Sequence, residues 1–177
     1  MKRILITGSS GMLGVDLCKE LSVDYELIGV DIARPVNRLS SLRGREADEA
    51  IYAYSYRKCD ITNKQEIFQV VKKAQPDVVV HAAAMTDVDG CELNPHAAYR
   101  INSEGTKNVA YACKAIGAAL IYISTDFVFD GKKKSPYKET DKTNPLSVYG
   151  DSKLKGEEAV KKAAKKHFIL RTSWLYG

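Results

Sequence analysis

Short apolar runs alternate with longer amphipathic segments over the first third of the chain. Arg3–Thr7 and Glu26–Asp31 are apolar enough to predict two strands, and residues 11–21 between them have the spacing of a helix. Residues 32–50 are polar and of mixed charge, so they predict a loop that holds at most a short helix. Residues 51–60 predict a third strand, although apolar and polar positions alternate poorly there.

The same alternation continues to the end of the chain. Thr62 or Asn63 is predicted to cap a helix, because apolar residues follow at helical spacing. Residues 77–83 form a continuous apolar run, typical of a strand buried on both faces. Residues 95–116 predict one long helix that ends at Gly117. The last predicted elements are a strand at 118–124, a helix at 147–166 and a strand at His167–Thr172. This order predicts an α/β fold with a doubly wound parallel sheet.

Length and composition favour a single domain that spans all 177 residues, 45% of which are hydrophobic. No apolar run is long enough to cross a bilayer, and no signal-peptide pattern is visible, so a cytoplasmic protein without membrane partners is expected. The net charge of +5 comes largely from lysines within residues 132–134 and 161–166. Because no aromatic residues interleave with them, solvated surfaces explain these lysines better than nucleic-acid binding.

Metal binding is not predicted. The cysteines lie far apart and show neither CxxC nor Cys/His ligand spacing, which disfavours zinc and fits reduced thiols. Asp87 and Asp89 are two loop carboxylates, which is poor evidence for a cation site. The four cysteines are Cys18, Cys59, Cys91 and Cys113.

A glycine-rich loop joins the first predicted strand to the first predicted helix. Its glycines are Gly8, Gly11 and Gly14, so the spacing is GxxGxxG and not the GxGxxG fingerprint. Glycines permit a tight turn and close approach to a pyrophosphate, and a helix N-terminus attracts phosphates. Asp31 could bind a ribose 2′-hydroxyl, which favours NAD, whereas Arg34 could accommodate the 2′-phosphate of NADP. The loop therefore predicts a dinucleotide site and leaves NADH and NADPH both open.

Tyr149 and Lys153 are four residues apart in a predicted helix and so share one face. A free phenol has a pKa of about 10 and exchanges protons poorly near neutrality. A neighbouring ammonium is expected to lower that pKa towards the working range. An exposed pair on a helix surface is the alternative. Thr125, at the predicted end of a strand, favours a catalytic role, because ligands bind at that edge of an open α/β sheet.

Several runs together resemble the extended short-chain dehydrogenase/reductase superfamily, and within it the dTDP-4-dehydrorhamnose reductases. The more specific runs are STDFVFDG at 124–131 and RTSWLYG at 171–177, whereas TGxxGxxG at 7–14 and YxxxK at 149–153 occur across the superfamily. The resemblance implies a Rossmann-like sheet of about six strands in the order 3-2-1-4-5-6, with helices on both faces. It also implies reduction, by NADH or NADPH, of the 4-keto group of a dTDP-linked 6-deoxysugar.

The resemblance also implies roles for individual residues. Tyr149 would protonate the developing alkoxide, Lys153 would lower the pKa of Tyr149 and bind the nicotinamide ribose, and Thr125 would hydrogen-bond the carbonyl oxygen. The implied cofactor contacts are Gly8, Ser10, Gly11, Met12, Leu13, Asp31, Asp60, Ile61, Ala82, Ala83, Ala84, Tyr149 and Lys153. The implied substrate-side positions are Val88, Phe127 and Trp174, together with Asn102, which matches a buried helix asparagine that supports the lysine.

Some of these positions have simpler explanations. Core or rim packing explains Phe127 and Trp174 equally well, and helix breaking or capping explains Asn102. His81 lies inside an apolar strand, so a buried histidine with satisfied hydrogen bonds is expected there, not a general base.

The resemblance covers nearly the whole chain, but members of the family generally continue beyond the equivalent of Gly177. Most of the substrate lobe is therefore expected to be absent, and the chain is expected to bind the cofactor and turn over weakly, if at all. A regulatory protein that binds NAD(P) without turnover is one alternative, and another sugar-nucleotide epimerase or reductase is a second. A homodimer is an option that the family leaves open.

Overall fold

The computed structural model describes residues 1–33 and 54–175. Within them the chain forms one parallel sheet of six strands in the order β3-β2-β1-β4-β5-β6. The strands are β1 Arg3–Thr7, β2 Glu26–Asp31, β3 Ser55–Lys58, β4 Val78–His81, β5 Ala119–Thr125 and β6 His167–Thr172. The predicted α/β class and strand order are confirmed. The register aligns Thr7 with His81 and Thr125 with Thr172, so several strands end together at one edge.

Helices alternate with these strands along the sequence. Their bounds are α1 Met12–Leu21, α2 Lys64–Ala74, α3 Val88–Leu93, α4 Pro95–Tyr99, α5 Thr106–Ile116 and α6 Val148–Ala163. Asn63 caps α2, because its side chain accepts a hydrogen bond from the Glu66 amide at 3.2 Å. Gly117 ends α5 in the left-handed conformation, with φ of 76°, as the sequence predicts.

Apolar cores lie on both faces of the sheet. On one face, the strand residues Leu5, Val79 and Leu120 form a cluster with Val71 of α2 and Val109 of α5. On the other face, Ile4 and Ile6 pack against Cys18 of α1. This arrangement confirms helices on both faces. None of the helices in the described ranges has the length and apolar character needed to span a bilayer.

The structure differs from the sequence prediction in three places. The single helix predicted at 95–116 is divided, because a π-helical segment, Arg100–Gly105, separates α4 from α5. Helix α3 was not predicted, although Asp87 caps it by accepting a hydrogen bond from the Gly90 amide. Strand β3 is shorter than the predicted residues 51–60. Residues 34–53 lie outside the described ranges. The predicted loop at 32–50 beyond residue 33, the first three residues of the predicted strand at 51–60 and the suggested role of Arg34 are therefore not tested by the structure.

Candidate functional site

The glycine loop follows β1 and packs tightly against the loop after β4. Gly8 has φ of +73°, and a Cβ atom there would lie 2.6 Å from the Ala83 nitrogen. A Cβ atom at Gly14 would lie 2.0 Å from the Gly8 oxygen, whereas one at Gly11 would lie 3.3 Å from that oxygen. Glycine is therefore required at positions 8 and 14 for backbone packing, which brings the start of α1 close to the end of β1.

Asp31 at the end of β2 stabilises the glycine loop. Its carboxylate accepts hydrogen bonds from the Ser10 amide at 3.0 Å and from the Ala33 amide at 3.3 Å. The Ser10 hydroxyl donates to the Ala33 carbonyl at 2.6 Å. Asp31 is thus tied to the loop, and its side chain still lines the neighbouring cleft.

A cleft of about 1000 Å³ lies along the carboxyl ends of the strands. This is the edge where open α/β sheets bind their ligands. It brings together all but one of the residues to which the resemblance assigns a cofactor, catalytic or substrate role. Its lining includes Gly8, Ser10, Gly11, Met12, Leu13, Asp31, Asp60, Ile61, Ala82, Ala83, Ala84, Val88, Thr125, Phe127, Tyr149, Lys153 and Trp174. The exception is Asn102, which is fully buried and does not line the cleft.

Tyr149 and Thr125 meet in this cleft. Tyr149 is 9% exposed, and the ring of Phe127 packs against it edge-on, with 5.6 Å between centroids. Burial raises the pKa of the Tyr149 phenol above its ordinary value, and a hydrogen bond with the Thr125 side chain acts in the opposite direction. The Thr125 hydroxyl accepts a hydrogen bond from the Phe127 amide at 3.2 Å. The phenol is therefore protonated near neutral pH.

Lys153 lies on α6 one turn after Tyr149, on the expected helix face, and its ammonium is engaged by β5. Its ammonium donates to the Ile123 carbonyl at 2.7 Å and lies 4.3 Å from the centre of the Tyr122 ring. Burial lowers the pKa of Lys153 to about 7. Burial is the largest effect on the pKa of the Tyr149 phenol, and the Lys153 ammonium is engaged by β5, so the lowering of that pKa by Lys153 stays a prediction.

Asn102 connects the π-helical segment to α6. Its side chain accepts from the Met85 amide at 2.8 Å, and its amide group donates to the Met85 carbonyl at 2.9 Å and to the Ser152 hydroxyl at 3.0 Å. Ser152 immediately precedes Lys153. Asn102 therefore supports α6 from within the protein, and the structure does not place it against a substrate.

His81 is a buried histidine with satisfied hydrogen bonds, as expected. Its ring lies 2.6 Å from the Thr7 hydroxyl and 3.0 Å from the Thr106 hydroxyl. Thr106 donates its own proton to the Asn102 carbonyl at 2.7 Å, so it accepts from Nε2–H of His81, and Thr7 donates to Nδ1. Burial lowers the pKa of His81 to about 3, which keeps the ring neutral.

Sequence reasoning missed a buried ionic cluster behind the cleft. Glu157 is fully buried on α6, and its carboxylate accepts from the Ser124 hydroxyl at 2.7 Å and from two nitrogens of Arg171 at 2.7 and 2.8 Å. The spacing of Glu157, four residues after Lys153, was the available signal. From sequence alone, a charged residue in a helix is predicted to lie on the solvated face. The burial of Glu157 follows only from the packing of β5 and β6 against α6.

Comparison with known proteins agrees with this geometry. A family model described as RmlD substrate binding domain matches residues 1–177. A dTDP-4-dehydrorhamnose reductase from Aggregatibacter actinomycetemcomitans is 39% identical over a match of 180 residues, gaps included, that covers 100% of this chain and 53% of that protein. The chain spans about half the length of the curated relatives it matches.

Solved structures show the same fold. The dTDP-4-dehydrorhamnose reductase of Bacillus anthracis, in complex with NADP, is 39% identical with a TM-score of 0.82, and the match covers 99% of this chain and 55% of that one. The Bordetella bronchiseptica enzyme WbmG, in complex with NAD and UDP, is 25% identical with a TM-score of 0.78, and the match covers 96% and 52% of the two chains.

Proposed function

Because the chain belongs to the family described as RmlD substrate binding domain, we propose that it is the cofactor-binding and proton-donating part of a dTDP-4-dehydrorhamnose reductase. The observation that carries the proposal is one cleft in which the glycine loop and the triad of Thr125, Tyr149 and Lys153 face the same space. A dinucleotide pocket alone would be consistent with many functions. A neutral phenol beside a threonine hydroxyl adds the groups that reduction of a carbonyl requires.

NADH or NADPH fits the residues along the cleft. The first turn of α1, which begins at Met12 and has no side-chain cap, offers its backbone amides to a pyrophosphate, and the tight packing of Gly14 keeps that helix end close. Ala82, Ala83 and Ala84 are small side chains beside this loop, which leaves room for a flat ring. Asp31 presents a carboxylate at the end of β2, suited to a ribose hydroxyl.

When bound, the nicotinamide supplies a hydride to the carbonyl carbon. Thr125 binds and orients the carbonyl oxygen through its hydroxyl. Tyr149 donates the phenolic proton to that oxygen as negative charge develops, so the carbonyl gains one hydride and one proton and becomes an alcohol. The raised pKa of Tyr149 suits this direction of reaction, because the group begins as a protonated acid.

Lys153 supplies positive charge next to this proton donor. When the phenol loses its proton, the cation one helical turn away would stabilise the phenolate, and the same ammonium would hold a ribose hydroxyl of the cofactor. Phe127, 44% exposed, and Trp174, 81% exposed, border the cleft on the sugar side. These two aromatic residues would pack against the substrate, together with Val88.

The substrate we propose is the dTDP-linked 4-keto-6-deoxysugar that the names of the relatives indicate. Most of the groups that hold it would come from the half of those proteins that this chain does not match. We therefore expect the 177-residue chain to bind NAD(P)H and to show little turnover. The intact triad favours an enzyme over a cofactor-binding regulatory protein, which has no chemical need of all three groups.

The test uses the chain in its longest natural form, with NADPH or NADH and the dTDP-4-keto-6-deoxysugar, followed by absorbance of the nicotinamide. Oxidation that depends on the sugar and falls at least a hundredfold in Tyr149→Phe is expected. Equal rates in the wild type and Tyr149→Phe would contradict the assignment of the proton donor. Cofactor binding without any turnover of the sugar would favour the regulatory alternative.

A further inference from the structure

The buried ionic cluster of Glu157, Arg171 and Ser124 lies directly behind the proton-donating helix. Glu157 is 0% exposed and sits one turn beyond Lys153, and both side chains lie between α6 and the sheet. A buried carboxylate is costly unless it is paired and fully hydrogen-bonded. Here it accepts three hydrogen bonds, one from β5 and two from β6.

The cluster joins three elements that meet at the site. Arg171 lies on β6 and its guanidinium stacks on Phe129 at 4.9 Å, so it is held from two sides. Ser124 is the residue before Thr125, so its bond to Glu157 fixes the end of β5 next to the carbonyl-binding hydroxyl. Any shift of Glu157 would therefore change the relative positions of Thr125 and α6.

Among the described residues, Glu157 is the carboxylate that acts on the Lys153 ammonium. From β5 the ammonium meets the ring of Tyr122 and the carbonyl of Ile123, and from β4 it faces His81, which is neutral. On its own helix the titratable groups one turn to either side are Tyr149, which is protonated, and Glu157, which acts on the ammonium. Burial alone would raise the pKa of Glu157, but the bonds from Arg171 and Ser124 lower it, so the carboxylate is ionised at neutral pH.

We propose that Glu157 is a positioning residue for the reduction: its buried carboxylate keeps Lys153 in the cationic form and fixes α6 against the ends of β5 and β6. The proposal rests on the proposed function for its catalytic consequence only. Without the carboxylate, the ammonium would face a carbonyl and a ring but no compensating negative charge. Lys153 would then lose its proton more easily, and Tyr149 would lose the cation that stabilises its phenolate.

The decisive measurement is the titration of Lys153 by NMR of the 177-residue chain labelled with ¹³Cε-lysine, with Lys153→Met to assign the signal. In Glu157→Gln the Lys153 pKa falls by about one unit, the size expected for unit charges about 6 Å apart in a medium of intermediate dielectric. Glu158→Gln is the matched control, because Glu158 is the next residue on α6 and is exposed. It leaves the Lys153 titration unchanged.

An unchanged Lys153 pKa in folded Glu157→Gln overturns the proposal, even if the variant is less stable. If that variant does not fold, the double variant Glu157→Gln with Arg171→Gln is used, since it removes both buried charges. The Lys153 pKa is then expected to fall by a smaller amount. An unchanged titration in the folded double variant overturns the proposal equally.

The catalytic arm uses the longest natural form of the chain. The rate of hydride transfer is measured as a function of pH. On the alkaline side, the rate falls at a pH about one unit lower in Glu157→Gln than in Glu158→Gln. Coincident profiles would contradict the role of Glu157. If none of the proteins reduces the sugar, the proposed function fails, while the NMR titration still decides the question of Lys153.

Discussion

Replacing Gly14 with alanine should uncouple the glycine loop from the sheet. The new Cβ atom would lie 2.0 Å from the Gly8 oxygen and 2.8 Å from the Ser9 Cα, against roughly 3.5 Å for ordinary contact between heavy atoms. Both obstacles are backbone atoms, so no side-chain rotation can relieve the overlap. The start of α1 must retreat by about 1.5 Å, which is the amount by which the contact is too short.

Two opposing effects determine how much Gly14→Ala changes the free energy of unfolding. Alanine is favoured over glycine inside a helix by up to about 1 kcal/mol. Overpacking costs about 1–3 kcal/mol, and an overlap between backbone atoms belongs at the upper end. The free energy of unfolding should therefore fall by about 2 kcal/mol, which corresponds to a decrease in Tm of about 4–8 °C for a chain of this length.

The assay pairs a thermal melt with NADH binding followed by fluorescence. In Gly14→Ala the affinity for NADH should fall about tenfold or more, because the helix end no longer meets the pyrophosphate at the proper distance. Gly11→Ala is the matched control for stability, since its Cβ atom would lie 3.3 Å from the same oxygen. Its Tm should stay within about 3 °C of the wild type. A Gly14→Ala protein with wild-type Tm and wild-type affinity would refute the reasoning about the loop.

Three further predictions concern stability. Because burial lowers the pKa of His81 to about 3, the unfolded chain binds one more proton than the folded chain between that pH and the ordinary pKa near 6.5. Stability is therefore lost on acidification, by about 2 kcal/mol from pH 7 to pH 5, and urea titrations of the wild type and a folded His81→Gln variant should differ by that amount. Asn102→Ala leaves the Met85 amide without its partner, so the free energy of unfolding should fall by about 1–3 kcal/mol in the same assay. A fall of less than about 0.5 kcal/mol would contradict the described hydrogen bonds. Asn63→Ala should lower the free energy of unfolding by about 1 kcal/mol, because α2 loses its cap, and Thr62→Ala should lower it by less. The reverse order would place the cap at Thr62.

The strands were the most predictable part of the fold. Arg3–Thr7 and Glu26–Asp31 have the bounds that the apolar runs indicate, because strands buried in a parallel sheet are marked by continuous apolar residues. His167–Thr172 also has the predicted bounds, although it is an edge strand without a buried residue. The interruption at Arg100–Gly105 was not predictable from periodicity. It places Asn102 against the Met85 backbone, and that contact depends on a loop distant in sequence.

Much of the site was also predictable, since glycine spacing and a tyrosine–lysine pair are local patterns. The protonation states were not. The pKa of Tyr149 depends on burial by α3 and Phe127, and that of Lys153 depends on contacts with β5 and on Glu157. Such shifts result from tertiary packing, which brings together residues that the sequence keeps far apart.

The central claim is that one cleft transfers a hydride from the nicotinamide to a sugar carbonyl while Tyr149 supplies the proton. The most direct measurement incubates the chain, in its longest natural form, with NADPH or NADH carrying deuterium at the reactive C4 position and with the dTDP-4-keto-6-deoxysugar. Proton NMR of the product then locates the deuterium. We predict deuterium at C4 of the sugar in the wild type and a product yield at least a hundredfold lower in Tyr149→Phe. A reduced sugar without deuterium at C4, or one formed equally well by Tyr149→Phe, would contradict the account.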